Sequence, residues 1–289
     1  MIITGKYPKL RLRRNRYHQW SRKLITENNL SVNDLILPIF IIDGKNKKIP
    51  VKTMPGVFRY SLDKLNSVVQ SAIYLGIPMV ALFPYTKGSL KNPLGTESLN
   101  PNNLVCRACK QIKKKFKNKI GIMCDVALDP YTSHGHDGLI NKNEILNDKT
   151  IKILIKQSLL QAQMGCDVIA PSDMMDGRIG EIRNELDKNG YEKIQILSYA
   201  IKYSSSFYGP FRDAVGSKKA LKGNKKTYQM DYGNLNEALR EVALDVKEGA
   251  DMVMVKPGLP YIDVIREVKN CFKIPVLAYQ VSGEYCLIK

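Results

Sequence analysis

Short apolar runs alternate with amphipathic stretches along most of the chain. The runs 35–41 (LILPIFI), 79–83 (MVALF), 120–128 (IGIMCDVAL), 167–171 (DVIAP), 195–201 (QILSYAI), 252–256 (MVMVK) and 275–281 (PVLAYQV) read as buried strands. Between them, helical periodicity predicts helices from Ser61 to Gly76, from Asn100 or Asn102 through 105–116, over 150–164, 178–189, 234–248 and 261–271. Glycines at 76, 165, 190 and 249 close four of these helices a few residues before the next apolar run, as αβ loops require. Repeated βα units with parallel strands give either a doubly wound sheet or a closed barrel. Chemistry-bearing residues follow several strands, whereas an open sheet would gather them at one switch point, so the α/β expectation is a TIM (β/α)8 barrel. No glycine-rich phosphate loop follows any strand. Seven strands are visible before Lys289. The expected organisation is therefore an N-terminal arm over 1–30 and a barrel over 31–289 that lacks its eighth strand and final helices.

Composition alters this picture little. Of 289 residues, 44% are hydrophobic and 25% charged, ordinary values for a globular chain. No run approaches a membrane span, and the first 16 residues lack the apolar centre of a signal peptide, so the expectation is a cytoplasmic protein with no membrane partner. Six scattered cysteines are expected to be reduced thiols, Cys106 and Cys109 included. The excess of 45 basic over 27 acidic residues suits acidic small molecules or nucleic acid. Because the lysines are spread along the chain among Ile and Asn, no nucleic-acid partner is expected.

Two lysines have an unusual setting. Lys256 follows the apolar run 252–255 directly and precedes Pro257 and Gly258; Lys202 ends the run before it. Period-two alternation groups Lys202 with Ile196, Ser198 and Ala200, neighbours small or polar enough to leave room. Two lysines sharing one cavity would each favour the other's neutral form through desolvation and like-charge repulsion. A neutral lysine makes Schiff bases with ketones. The alternative is that both amines snorkel to the surface.

Other candidates cluster at the same strand ends. The segment 124–138 (CDVALDPYTSHGHDG) holds Asp125, Asp129, Asp137, His134 and His136, a set for acid-base work or for a hard ion such as Mg²⁺. Aspartates that merely cap turns are the alternative. Ser172 and Asp173 follow the fourth strand, and Asp176 could cap the next helix. After Lys202 come some thirty residues of weak periodicity that read as a lid, with Arg212, Lys222, Lys225, Lys226 and Gln229 available to grip a carboxylate. Lys218 and Lys219 read as solvated. Tyr279 and Ser282 follow the seventh strand.

Taken together, SYAIKYSSSFYGPFRDA, DMVMVKPGLPYIDVIREV, CDVALDPYTSHGHDG, APSDMMDGR and AYQVSGEY resemble the porphobilinogen synthase (delta-aminolevulinic acid dehydratase) family, from about Arg11 to the end. The resemblance implies a lyase that condenses two 5-aminolevulinate molecules to porphobilinogen in haem biosynthesis, built as a homo-octamer or other homo-oligomer with exchanged arms. It assigns Schiff bases to Lys256 and Lys202, supporting proton transfer to Asp125, substrate binding to Arg212, Lys225, Gln229 and Ser282, and an allosteric Mg²⁺ to Glu241; Ser172 is a substrate-binding candidate from its place directly after the fourth strand. Zinc-using members carry three cysteines where this chain has Ala127, Asp129 and Asp137, so zinc is not expected. Lys225 stands where the family has a second arginine and lacks its bidentate fork. An impaired remnant of that enzyme, or another Schiff-base aldolase on the same barrel, are the alternatives.

Overall fold

The computed structural model describes residues 5–142, 144–216, 221 and 223–289. After the short helices α1 (Arg14–Tyr17) and α2 (Gln19–Leu24) come strands β1 (Ile36–Ile42), β2 (Lys48–Pro50) and β3 (Phe58–Tyr60). Then follow α3 (Leu62–Tyr74), β4 (Met79–Tyr85), α4 (Leu104–Phe116), β5 (Gly121–Val126), the small pair β6 (Ile140–Asn141) and β7 (Glu144–Ile145), and α5 (Asn147–Gln163). The rest is β8 (Val168–Pro171), α6 (Arg178–Lys188), β9 (Gln195–Lys202), α7 (Gly209–Ala214), α8 (Leu235–Lys247), β10 (Met252–Lys256), α9 (Ile262–Phe272), β11 (Val276–Ala278) and α10 (Ser282–Ile288).

The main sheet runs β11-β10-β9-β8-β5-β4-β1-β3-β2, parallel throughout except where β2 meets β3. Alternate residues of each strand enter two different cores, as a parallel sheet covered on both faces demands. Ile39, Leu82, Cys124, Ile169 and Val255 pack outward under the helices, while Phe40, Phe83, Met123, Ala170 and Met254 pack into the concave interior. Aromatic contacts cross that interior: Phe83 of β4 meets Phe40 of β1 at 5.9 Å and Tyr279, just past β11, at 6.2 Å between ring centroids. The sheet is thus curled as in a TIM barrel, but among the described residues no ladder joins β11 to β1 or β3. Helix α10 lies at this gap, with the Tyr285 hydroxyl on the Pro55 carbonyl and Cys286 Sγ on the Thr53 carbonyl at 3.1 Å.

Several elements differ from expectation for identifiable reasons. Asn103, rather than Asn100 or Asn102, caps α4 by accepting from Cys106 N at 2.9 Å; Asn100 instead shapes the preceding turn by accepting from Asn102 N. Gly177, in the left-handed region, is the N-cap of α6, so Asp176, one of the capping candidates, does not take that position. The expected strand over 275–281 shortens to β11, because Tyr279 O turns back to accept from Gly258 N. Strands β2 and β3 are too short to leave a pattern. All six cysteines are unbridged, and no helix among the described residues is long and apolar enough to cross a membrane. In the arm, Ser21 is the sole buried residue among those described up to residue 30.

Candidate active site

Lys202 and Lys256 are register partners at the ends of β9 and β10. Lys256 reaches the interior by plain alternation, on the side of Met254. Lys202 does not: alternation would send it outward with Ile196 and Ala200, contrary to the sequence expectation of a shared cavity on that face. A β-bulge corrects this, since 198–201 of β9 spans the same ladder as 253–255 of β10. Ala200 and Ile201 both pack outward, and Lys202 returns to the inner side with Tyr199. Both amines therefore line one cleft.

The cleft gathers nearly every residue expected to act in it. Asp125, Asp129 and Ser172 line it with the two lysines, as do Arg212, Lys225 and Gln229 from the segment that reads as a lid. Ser282 is the exception. It is buried at the start of α10, outside the cleft lining, where its hydroxyl accepts from Phe211 N at 2.8 Å and donates to Phe207 O at 3.0 Å. Lys222, Lys218 and Lys219 lie outside the described residues.

The two amines have opposite electrostatics. Lys202 Nζ sits 3.3 Å from Asp137 Oδ2 and also donates to the Ser172 carbonyl. Burial opposes its charge, but Asp137, Asp129 and Asp125 outweigh burial and raise its pKa. The expectation that each lysine would hold the other neutral thus fails for Lys202. Lys256 forms no ion pair among the described residues; it is boxed by the rings of Tyr279 at 4.4 Å, Tyr199 at 5.0 Å, Phe211 at 5.3 Å and Tyr208 at 5.5 Å. Burial and the neighbouring Lys202 charge pull its pKa down to about 7, which the carboxylates only partly offset. This aromatic box was not found from the sequence, although YSSSFYGPF and AYQV supply three of its four rings.

The carboxylates also divide. Lys225 Nζ lies 2.7 Å from Asp137 Oδ1 and 3.8 Å from Asp129 Oδ2. Asp137, despite burial, is held ionised by Lys202 and Lys225. Burial pushes Asp129 up to about 6 against the pull of Lys225, and burial raises Asp125 against the charges of Lys256 and Lys202. The site therefore holds a neutral amine, a charged amine and carboxyls able to carry protons at neutral pH. The His136 ring meets the Tyr228 hydroxyl at 3.1 Å beside Asp137, while His134 reaches the Pro93 carbonyl.

Glu241 is on α8, away from the cleft lining. Burial and its neighbours Asp245, Asp176 and Glu237 push its pKa up to about 7, with Arg178 opposing. Among the described residues no three His, Cys, Asp or Glu side chains converge on one metal-sized space. A single carboxylate in an acidic setting fits a cation that keeps most of its own waters, as Mg²⁺ does.

Known proteins of similar sequence share one description. A family model described as delta-aminolevulinic acid dehydratase matches residues 9–289. A delta-aminolevulinic acid dehydratase of Bradyrhizobium diazoefficiens is 58% identical over 279 residues, 96% of this chain and 79% of the relative. One from Rhodobacter capsulatus is 48% identical over 99% of this chain and 86% of its own length. The crystal structure of the Toxoplasma gondii enzyme in complex with its reaction product porphobilinogen superposes with a TM-score of 0.94 at 45% identity, over 96% of this chain and 79% of that one. The chain belongs to the delta-aminolevulinic acid dehydratase, or porphobilinogen synthase, family of lyases.

Proposed function

We propose that this cleft condenses two molecules of 5-aminolevulinate into porphobilinogen with loss of two waters, as a step in haem biosynthesis. The observation that carries the reading is the pair of side-by-side lysines, one amine enclosed by aromatic rings and the other paired with a buried carboxylate. Lys256 attacks the ketone of the first substrate, because its lone pair is available at neutral pH. Asp125, beside it and raised by burial, donates the proton that lets the hydroxyl leave as water. Lys202 becomes nucleophilic toward the second substrate only after giving up a proton; Asp129, raised to about 6 and acting on Lys202 across the cleft, is a better acceptor than the strongly acidic Asp137. Arg212, Lys225 and Gln229 bind substrate carboxylates from the lid, and Ser172 the second substrate's polar groups. Lys225 exchanges Asp137 for substrate as it does so, and Ser282 joins only by releasing a lid backbone partner.

The test is borohydride trapping of the protein with 5-aminolevulinate, with peptide mass mapping and parallel assay of porphobilinogen. Label on Lys256 together with product supports the reading; product without label on either lysine overturns it.

Glu241 would hold a hydrated Mg²⁺, which supplies positive charge to an acid-rich helix face rather than chemistry in the cleft. A carboxyl raised in the folded state above its unfolded value is charged at a cost there, so stability falls as pH rises from the ordinary glutamate range through about 7. Mg²⁺ should therefore raise the melting temperature more above pH 7 than below it, and Glu241→Gln should abolish that difference; an equal gain in the variant removes Glu241 from the site. Assembly into a homo-octamer or other homo-oligomer through the arm is supported by Trp20, Leu24 and Leu30, 66%, 78% and 84% exposed and uncovered by this chain. Light scattering of the protein with and without residues 1–30 tests it. The unbridged thiols support a cytoplasmic location.

A further inference from the structure

The Schiff-base reading leaves unused a carboxylate as buried as any in the chain. Glu284 is 0% exposed, in the first turn of α10, and no cation pairs with it among the described residues. Burying a carboxylate is costly unless its oxygens are satisfied. Both of them are, by backbone alone: one accepts from Leu259 N and the other from Val281 N at 2.6 Å. Leu259 is three residues after Lys256, and Gly258 N in the same turn donates to Tyr279 O at 2.9 Å. Glu284 thus clamps the turn that carries the Lys256 strand end against the start of α10.

The residues preceding it in the same helical turn hold a different loop. Ser282 bonds to the backbone of Phe207 and Phe211, at the front of the lid. A Cβ on Gly283 would come within 2.6 Å of Phe207 Cδ1 and 2.8 Å of Phe207 Cα and O, so lid and helix backbones are in close contact there. Tyr208 and Phe211, on that lid segment, are two of the four rings around Lys256. The Tyr208 hydroxyl also donates to the Tyr203 carbonyl at 2.7 Å and to the Lys256 carbonyl at 3.2 Å.

We propose that Glu284 is a positioning residue for Lys256, and that the turn Ser282-Gly283-Glu284 couples the seating of the lid to the placement of that amine. This inference rests on the Schiff-base reading of Lys256. The lid supplies half of the aromatic box and the turn at Leu259 sets where β10 ends, and both are fastened to one helical turn. A lid that lifts from α10 loosens the box around the nucleophile; a lid seated over substrate restores it. Among the described residues Lys202 has no direct tie to this helical turn: its side chain meets Asp137 and the Ser172 carbonyl, and Asp137 meets the lid through Lys225 rather than through the segment at Phe207 and Phe211.

Two variants separate positioning from general destabilisation. Glu284→Gln keeps the shape but turns an N–H donor toward one of the two backbone N–H groups. Gly283→Ala leaves every hydrogen-bonding group in place and pushes the lid off the helix. Both are measured by borohydride trapping with 5-aminolevulinate at alkaline pH, where Lys202 also reacts, with label at each lysine read in the same sample. The expected result is a loss of label rate at Lys256 of about tenfold in Glu284→Gln, one hydrogen bond's worth, and a fall in the same direction in Gly283→Ala, with the rate at Lys202 changed by no more than about twofold in either. An equal fall at both lysines, or undiminished label at Lys256 in either folded variant, overturns the inference. Absence of label at both lysines of the unaltered protein overturns the Schiff-base reading beneath it instead.

Discussion

The ends of β9 and β10 lie side by side and carry the same side chain, yet the two lysines get there differently and arrive in opposite states. On β10 plain alternation aims Lys256 inward, into a box of aromatic rings that offers it no counter-ion. On β9 an extra residue within 198–201 is needed to turn Lys202 inward, and there it meets Asp137 and the Ser172 carbonyl. One amine is pulled down to about 7 and the other is raised. Desolvation acts on both, and the same carboxylates reach both; what differs is that Asp137 pairs directly with Lys202 while no carboxylate among the described residues pairs with Lys256. The comparison shows that a strand-end lysine becomes a nucleophile by what is withheld from it, and that its neighbour's retained charge adds to the effect.

The largest effect comes from removing the nucleophile. Lys256→Met should lower turnover by about a thousandfold or more, and Lys202→Met should be similarly inactive if both Schiff bases are required. The two variants part company in stability. Between pH 7 and the ordinary lysine range the unfolded chain binds a proton at residue 256 that the folded protein does not, so wild-type stability rises with pH there and is lowest below 7. Lys256→Met removes that penalty and fits an apolar box, so it should melt above wild type, most clearly below pH 7. Lys202→Met, which leaves Asp137 with one cation fewer, should melt below it. Melting both variants across pH would break the comparison if they moved in the same direction.

Next in size is the loss of the counter-ion. Asp137→Asn leaves Lys202 and Lys225 buried without their shared carboxylate, and removing one partner from such a pair costs about 3–5 kcal/mol. The protein relieves part of this by deprotonating Lys202. Denaturant titration should show the instability, and borohydride trapping should show Lys202 reacting at lower pH than in wild type, so that the two lysines come to resemble each other.

In the unaltered protein the same trapping, followed against pH, should give two separated rises. Label at Lys256 should climb through about pH 7, as the neutral amine replaces the charged one. Label at Lys202 should climb at distinctly higher pH, because its pKa lies above the ordinary lysine value. A single shared midpoint would mean that the amines titrate together and that the contrast in anions does not govern them.

How far this contrast was legible from sequence follows from which interactions are local. The strand ends, the lysines on them and the carboxylates of 124–138 could be read, because each depends on a run of neighbouring residues. The facing of Lys202 could not: a bulge shows only when β9 is laid against β10, and strict alternation from Ile196 gives the wrong side. The partners of the amines were equally hidden, since Asp137 and Lys202 are 65 residues apart. The buried Arg178, which meets Asp245 at 3.3 Å and Ser198 at 3.2 Å behind β9, left no periodic signal either. The capping of α4 was missed for a smaller reason, because four asparagines within residues 100–103 and 92 compete for turn geometry and only the ladder of N–H groups picks Asn103.

The smallest expected effect concerns Tyr199, whose ring faces Lys256 at 5.0 Å and whose hydroxyl is buried with no hydrogen-bond partner among the described residues. Burial and the Asp125 charge keep that hydroxyl protonated far above neutral pH, so it adds no charge to the box. Its polar atom is then a cost: removing an unsatisfied hydroxyl while keeping the ring should stabilise the protein by about 1 kcal/mol. Tyr199→Phe should raise the melting temperature by about 2 °C for a chain of this length. The same substitution makes the box slightly more apolar, which should move the Lys256 trapping midpoint downward from about 7, not upward. A fall in melting temperature, or an upward shift of the midpoint, would mean that the hydroxyl has a polar partner in the folded protein and that Lys256 has more polar company than its ring neighbours provide.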